Sequence, residues 1–102
     1  MTKNEKREHS DVLYQAMLTL RALDECKKFF SDLCTVAELR AMEQRFEVAM
    51  LLSDGMIYND ILERTGASSA TISRVNRSLQ YGADGYQAVL PRIKEQMDQH
   101  GV

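Results

Sequence analysis

A chain of 102 residues has room for one modest domain, and its 44% apolar and 27% charged residues, with one proline and five glycines, fit a globular protein rather than a disordered or fibrous one. No apolar run reaches the length of a membrane span, and the charged opening MTKNEKREHSD lacks the apolar core of a signal peptide, so no membrane is expected and the cytoplasm is the expected compartment. The net charge of −2 does not exclude a nucleic-acid partner: between Arg64 and Ala83 stand three arginines (Arg64, Arg74, Arg77) and no acid, so that segment carries +3 and the remainder −5.

Residues 1–9 read as a polar arm, followed by a single all-helical domain over 10–102. Ser10 is placed to cap a first helix in which Leu13, Ala16, Met17, Leu20 and Leu23 recur at helical spacing. A second amphipathic stretch carries Cys26, Phe29, Phe30 and Leu33 on its apolar side. Cys26 and Cys34 stand eight apart in helical sequence, about 12 Å along an axis, too far for a bridge within one helix. Buried free thiols are expected.

Thr35-Val36-Ala37-Glu38 has the S/T-x-x-E form of a capping box. It predicts a third helix running to about Ser53 and closed by Asp54-Gly55. In its second half Phe46, Val48, Ala49, Met50, Leu51 and Leu52 are apolar on every side, so the helix must be covered on every side. Either the chain's own helices wrap it or a second copy does. The shortness of the chain favours the second, a homodimer.

Residues 58–80 predict a helix-turn-helix: a short helix with Ile61, Leu62 and Thr65 inward, a turn at Gly66, and a second helix capped by Ser68. At ~100° per residue, Ile72, Val75 and Leu79 share one face of that second helix. Ala70, Ser73, Arg74, Arg77 and Gln80 share the other, which is polar, basic and free of carboxylates. Small residues near the helix start (Ser69, Ala70, Ser73) permit close approach to base edges, and Arg74 and Arg77 supply donors for bases and phosphates. These features point to double-stranded DNA. A reading of a different class keeps the hairpin as a module that docks RNA polymerase or another regulatory protein; the acid-free face favours DNA.

The residues Leu33-Cys34-Thr35, Gln44 to Ala49, Thr65 to Leu79, and Tyr81-Gly82-Ala83-Asp84-Gly85-Tyr86 together resemble the Trp repressor family, most closely its TrpR-like YerC/YecD branch. With the first two helices the resemblance reaches Pro91. It implies an all-α, multi-helix fold in which two chains interlock through their N-terminal helices, each presenting one helix-turn-helix to a DNA half-site, and a regulator of transcription acting as a repressor.

In that family bound tryptophan is held by a Thr, an Arg on the third helix and an Arg on the recognition helix. The matching positions are Thr35, Arg45 and Arg74, where Arg45 requires a one-residue gap before Leu51 and Gln44 takes its place otherwise. The family's glycine after the recognition-helix Arg, which leaves room for the indole, is Val75 here. An isopropyl group fills that space. The expectation is therefore a regulator that does not respond to tryptophan and has either a different small effector or no cofactor at all. The basic residues of the motif's first helix are replaced by Asn59 and Leu62, so phosphate anchoring is expected to be weaker or to come from Arg64, Arg77 and the N-terminal arm; Ser68 and Asn59 are also counted among the DNA-binding residues.

Chemistry of other kinds finds no pattern. His9 and His100 lie near the termini without metal-ligand spacing, Ser68, Ser69 and Ser73 have no histidine nearby in sequence to activate them, and no phosphate-cradling loop is present. Neither an enzyme nor a metal site is expected.

Overall fold

The structure is a computed structural model that describes residues 3–99, with side chains placed from Asp11 onward. Among the described residues it contains six helices and no strand: α1 (Lys3–Leu18), α2 (Leu23–Leu33), α3 (Val36–Ser53), α4 (Tyr58–Thr65), α5 (Ser69–Tyr81) and α6 (Gly85–Gln99). The all-α expectation holds. No helix among the described residues is long and apolar enough to cross a membrane.

The chain gathers into two compact units, the first ending at Leu39 and the second beginning at Arg40. In the first, the helix boundaries differ from those predicted. α1 starts at Lys3, so most of the segment expected as a polar arm is helical, and Ser10 lies inside the helix instead of capping it. The helical spacing that runs through Leu23 breaks after Leu18. There the Thr19 N–H and hydroxyl both donate to the Ala16 carbonyl, at 3.1 and 2.7 Å, and the Leu20 N–H donates to Met17. Cys34 is the cap of α2 in extended conformation, outside the helix, and both thiols are free and half-buried.

No residue from Asp11 to Leu39 is buried. Leu13, Ala16, Met17, Cys26, Phe29 and Phe30 are half-buried, and the rings of Phe29 and Phe30 meet edge-on with centroids 5.4 Å apart. Val12, Tyr14, Leu18, Leu23 and Val36 are largely exposed, Leu18 at 85%. Over Asp11–Leu39 these helices therefore present apolar faces without a fully buried residue.

The second unit has a core. Val48 and Ala49 of α3, Ile61 of α4, Ala67 of the turn, Ile72 and Val75 of α5 and Leu90 of α6 form one buried cluster. Phe46, Met50, Leu51, Leu52, Leu62, Leu79, Tyr86 and Ile93 pack against it half-buried. Complete burial of an isoleucine stabilises by about 1.5–3 kcal/mol, which makes Ile61 and Ile72 its principal anchors. α6 is held further by the Phe46–Tyr86 ring contact, 6.3 Å between centroids, and by Lys94, whose ammonium donates to Ser53 Oγ (2.6 Å) and pairs with Asp54 (2.8 Å) at the end of α3. The all-round burial expected of Phe46–Leu52 is met only by Val48 and Ala49; the other apolar residues there remain partly open.

α3 starts as the capping box requires. The Thr35 N–H donates to Glu38 Oε1 at 2.8 Å, and the Glu38 N–H donates to Thr35 Oγ1 at 3.1 Å. The backbone bond from Thr35, and secondarily its side chain, holds the Glu38 pKa below its ordinary value. A depressed carboxylate pKa means the contribution is fully present above the ordinary carboxylate range and is lost as pH falls through the lowered value. NMR titration of Glu38 should therefore give a midpoint below that of the same residue in an unfolded peptide. Glu38→Gln, which keeps an acceptor for the Thr35 N–H, should flatten the acid limb of thermal stability; an unchanged limb would show that the box does not contribute.

Candidate nucleic-acid interface

α4 and α5 owe their relation to a turn with little freedom. Gly66 closes α4 in the left-handed region (φ 74°), and its N–H donates to the Leu62 carbonyl at 3.0 Å. Thr65 is a node: its hydroxyl donates to the Ile61 carbonyl (2.7 Å) and accepts from the Ala67 N–H (3.1 Å), while its carbonyl accepts from Gln44 Nε2 of α3 at 3.2 Å. Ala67 is buried beneath the turn. Ser68 then caps α5, its hydroxyl accepting from the Thr71 N–H (3.1 Å) and donating to Thr71 Oγ1 (3.0 Å).

With Ile72 and Val75 buried, α5 has one orientation on its unit. Ser69, Ala70, Ser73, Arg74 and Arg77 are all exposed on the opposite side, and Asn59 and Arg64 are exposed on α4. Among the described residues none of Arg64, Arg74 and Arg77 takes part in an ion pair. At its far end α5 is tied to α6 by Gln87 Nε2, which donates to the Leu79 carbonyl at 2.8 Å. α5 stops at Gly82, where a Cβ would collide with the Ser78 carbonyl. Asp84 follows in the left-handed region, and its carbonyl receives the Ala88 N–H at the start of α6. The outcome is a stiff, carboxylate-free ridge of small, hydroxyl and guanidinium groups, the chemistry that phosphates and base edges accept.

The residues expected around a ligand are placed differently from one another. Arg45 and Arg74 are exposed, Val75 is 2% exposed within the core, and Thr35 is the capping residue of α3. Two cavities of about 430 and 410 Å³ lie in the second unit, one against Leu52, Asn76, Leu79 and Lys94, the other against Phe46, Gly82, Tyr86 and Val89; neither is lined by Arg45, Arg74 or Val75. Gln44, the alternative to Arg45, is engaged with Thr65. No cluster of potential metal ligands occurs among the described residues. The Gln44, Gln87 and Lys94 contacts carry no local signal in the sequence, because they join residues that meet only through the packing of separate helices.

Against this geometry the comparisons with known proteins are specific. The family described as Trp repressor protein matches residues 8–94. The chain belongs to the Trp repressor family. This is a family of DNA-binding helix-turn-helix regulators, not of enzymes. The uncharacterized protein YerC of Bacillus subtilis (strain 168) is 51% identical over 85 residues, covering 83% of this chain and 82% of YerC. A solved TrpR-like protein from Eubacterium eligens ATCC 27750 is similar with a TM-score of 0.83 at 50% identity, covering 91% of this chain and 96% of that one. A candidate Trp repressor from Staphylococcus aureus gives 0.82 at 45% identity, with 92% and 96% covered.

The capping role of Ser68 separates it from its neighbours on the ridge. Ser68→Ala should lower stability by about 1 kcal/mol, the usual cost of a lost cap, and leave relative preferences among DNA sequences intact. Ser73→Ala should do the reverse, with stability held and preference altered. Thermal unfolding read beside competition binding distinguishes the two; interchanged results would mean that the hydroxyl assignments are inverted.

Proposed function

We propose that this protein is a sequence-specific DNA-binding transcriptional regulator, a cytoplasmic repressor that acts as a homodimer and does not respond to tryptophan. The observation that carries the reading is the α5 ridge. Ser69, Ala70, Ser73, Arg74 and Arg77 are exposed together, without a carboxylate among them, on a helix whose other face is locked into a core. In this reading the serines and Ala70 meet base edges, Arg74 and Arg77 contact bases and phosphates, and Asn59 and Arg64 lie along the backbone from α4. Ser68 contributes through its cap.

Dimerisation is supported by the first unit, which has apolar faces and no buried residue between Asp11 and Leu39, and by the half-open Phe46, Met50, Leu51 and Leu52 on α3. A second copy supplies the missing cover, and residues 10–102 of two chains then make one composite domain pair. The absence of a tryptophan response is supported by Val75. Its side chain already fills core volume, and opening a packed site for an aromatic ring costs about 1–3 kcal/mol. Arg74, exposed and without an ion-pair partner among the described residues, is then a DNA contact rather than a carboxylate clamp.

Selection of bound duplexes from a random pool tests the reading. It should yield a near-palindromic site with half-site centres roughly 34 Å apart, one duplex turn, as two-fold symmetry requires. Arg77→Ala should weaken binding to all sequences and lower the salt slope by about one unit, as loss of a phosphate contact does. A pool that shows no enrichment, with retention of RNA polymerase or a regulatory protein instead, would favour the protein-docking alternative.

Calorimetric titration of the wild-type protein with L-tryptophan should show no saturable heat at micromolar levels, and DNA affinity should be the same with and without it. Saturable binding accompanied by tryptophan-dependent DNA affinity would overturn this part of the reading.

A further inference from the structure

We infer that Gln44 is a positioning residue for DNA recognition: its side-chain amide, donated from α3 to the Thr65 carbonyl, sets where the recognition helix begins. The inference rests on the DNA-binding reading above and extends it to a residue outside the ridge.

The last carbonyls of a helix have no partner within it, and Thr65 is the last residue of α4. Its carbonyl accepts from Gln44 Nε2 at 3.2 Å, a bond between residues 21 apart in sequence and partly shielded from water. The same residue organises the turn, because its hydroxyl bridges the Ile61 carbonyl and the Ala67 N–H. Gly66, Ala67 and the Ser68 cap follow directly. A shift of Thr65 is therefore carried through three residues to Ser69, Ala70 and Ser73, where close approach to base edges has to be accurate.

The apolar contacts of the core fix the rotation of α5 about its axis, but they tolerate small sliding movements because dispersion and burial are not directional. A hydrogen bond to a carbonyl is directional and resists sliding. Among the described residues Gln44 makes the one side-chain hydrogen bond that joins α3 to the α4–α5 turn. Gln87 performs the corresponding task at the far end of α5, beyond the residues expected to meet bases.

Gln44→Met keeps length and bulk while deleting the donor, so it separates positioning from packing. The site enriched from the random pool and an unrelated duplex of equal length are the two probes, measured with wild type and variant, alongside thermal unfolding. Affinity for the enriched site should fall about tenfold while affinity for the unrelated duplex stays within about twofold, and the melting temperature should drop only by the modest amount that one intramolecular hydrogen bond contributes. Unchanged affinity for the enriched site would overturn the inference. Equal losses on both duplexes would also overturn it, since Gln44 would then be merely structural. If the wild-type chain enriches no duplex, it is the DNA reading that fails. Amide exchange then decides on the brace alone: faster exchange of Gly66 and Ala67 in Gln44→Met supports it, and unaltered exchange refutes it.

Discussion

Ile72 and Val75 stand three residues apart on α5, and burying both against Val48, Ala49 and Ile61 leaves that helix one rotational setting. Everything on its outer face is a consequence. A slip by one residue would turn the helix ~100° and carry Arg74 toward the core, where an unpaired guanidinium is costly. The buried face therefore specifies the exposed one. Ala67 at the turn serves the same end, because a small side chain beneath the Thr65–Ser68 segment allows α4 and α5 to approach closely.

How much of this was legible in the sequence depended on how local the determinants were. The capping box at Thr35 and Glu38, the left-handed Gly66, the Ser68 cap and the i, i+3 spacing of Ile72 and Val75 are written within a few residues each, and the structure has all of them. The break between α1 and α2 was not legible. The segment Thr19-Leu20-Arg21-Ala22 contains neither Gly nor Pro, and its turn is made by Thr19 bonding back to Ala16, an option open to any helical threonine. The local signal for α6 is mixed, because Pro91, a residue unfavourable inside a helix, lies within Gly85–Gln99. Tyr86, Leu90, Ile93 and Met97 had the spacing that gives it away. Lys94 and its ties to Ser53 and Asp54 became visible only with that helix. The Gln44–Thr65 and Gln87–Leu79 bonds depend on how helices pack, which periodicity along one segment does not encode.

The two units divide stability unequally. The second has buried residues on α3, α4, α5 and α6 and hydrogen bonds between them, so the reading head is secured by contacts inside one unit. The first presents half-buried leucine, methionine and phenylalanine side chains without a fully buried one between Asp11 and Leu39. Helices of 16 and 11 residues have little stability by themselves in water, since nucleation is unfavourable and most helical stability in proteins comes from tertiary packing.

Under the proposed reading this asymmetry has a regulatory consequence. If a second copy covers the first unit, folding there is linked to association and so to protein concentration, as for any chain whose partner binds only the folded form. The reading head, by contrast, is already shaped within each chain: hydrogen bonds at Thr65 hold its start, Gln87 ties its end, and Val75 is buried in the core beneath it. A ligand can shift an equilibrium only by as much as it binds one state better than another. A head held in one arrangement by its own hydrogen bonds and core gives a small molecule little difference to act on, which leaves the pairing of two such heads as the step most open to control.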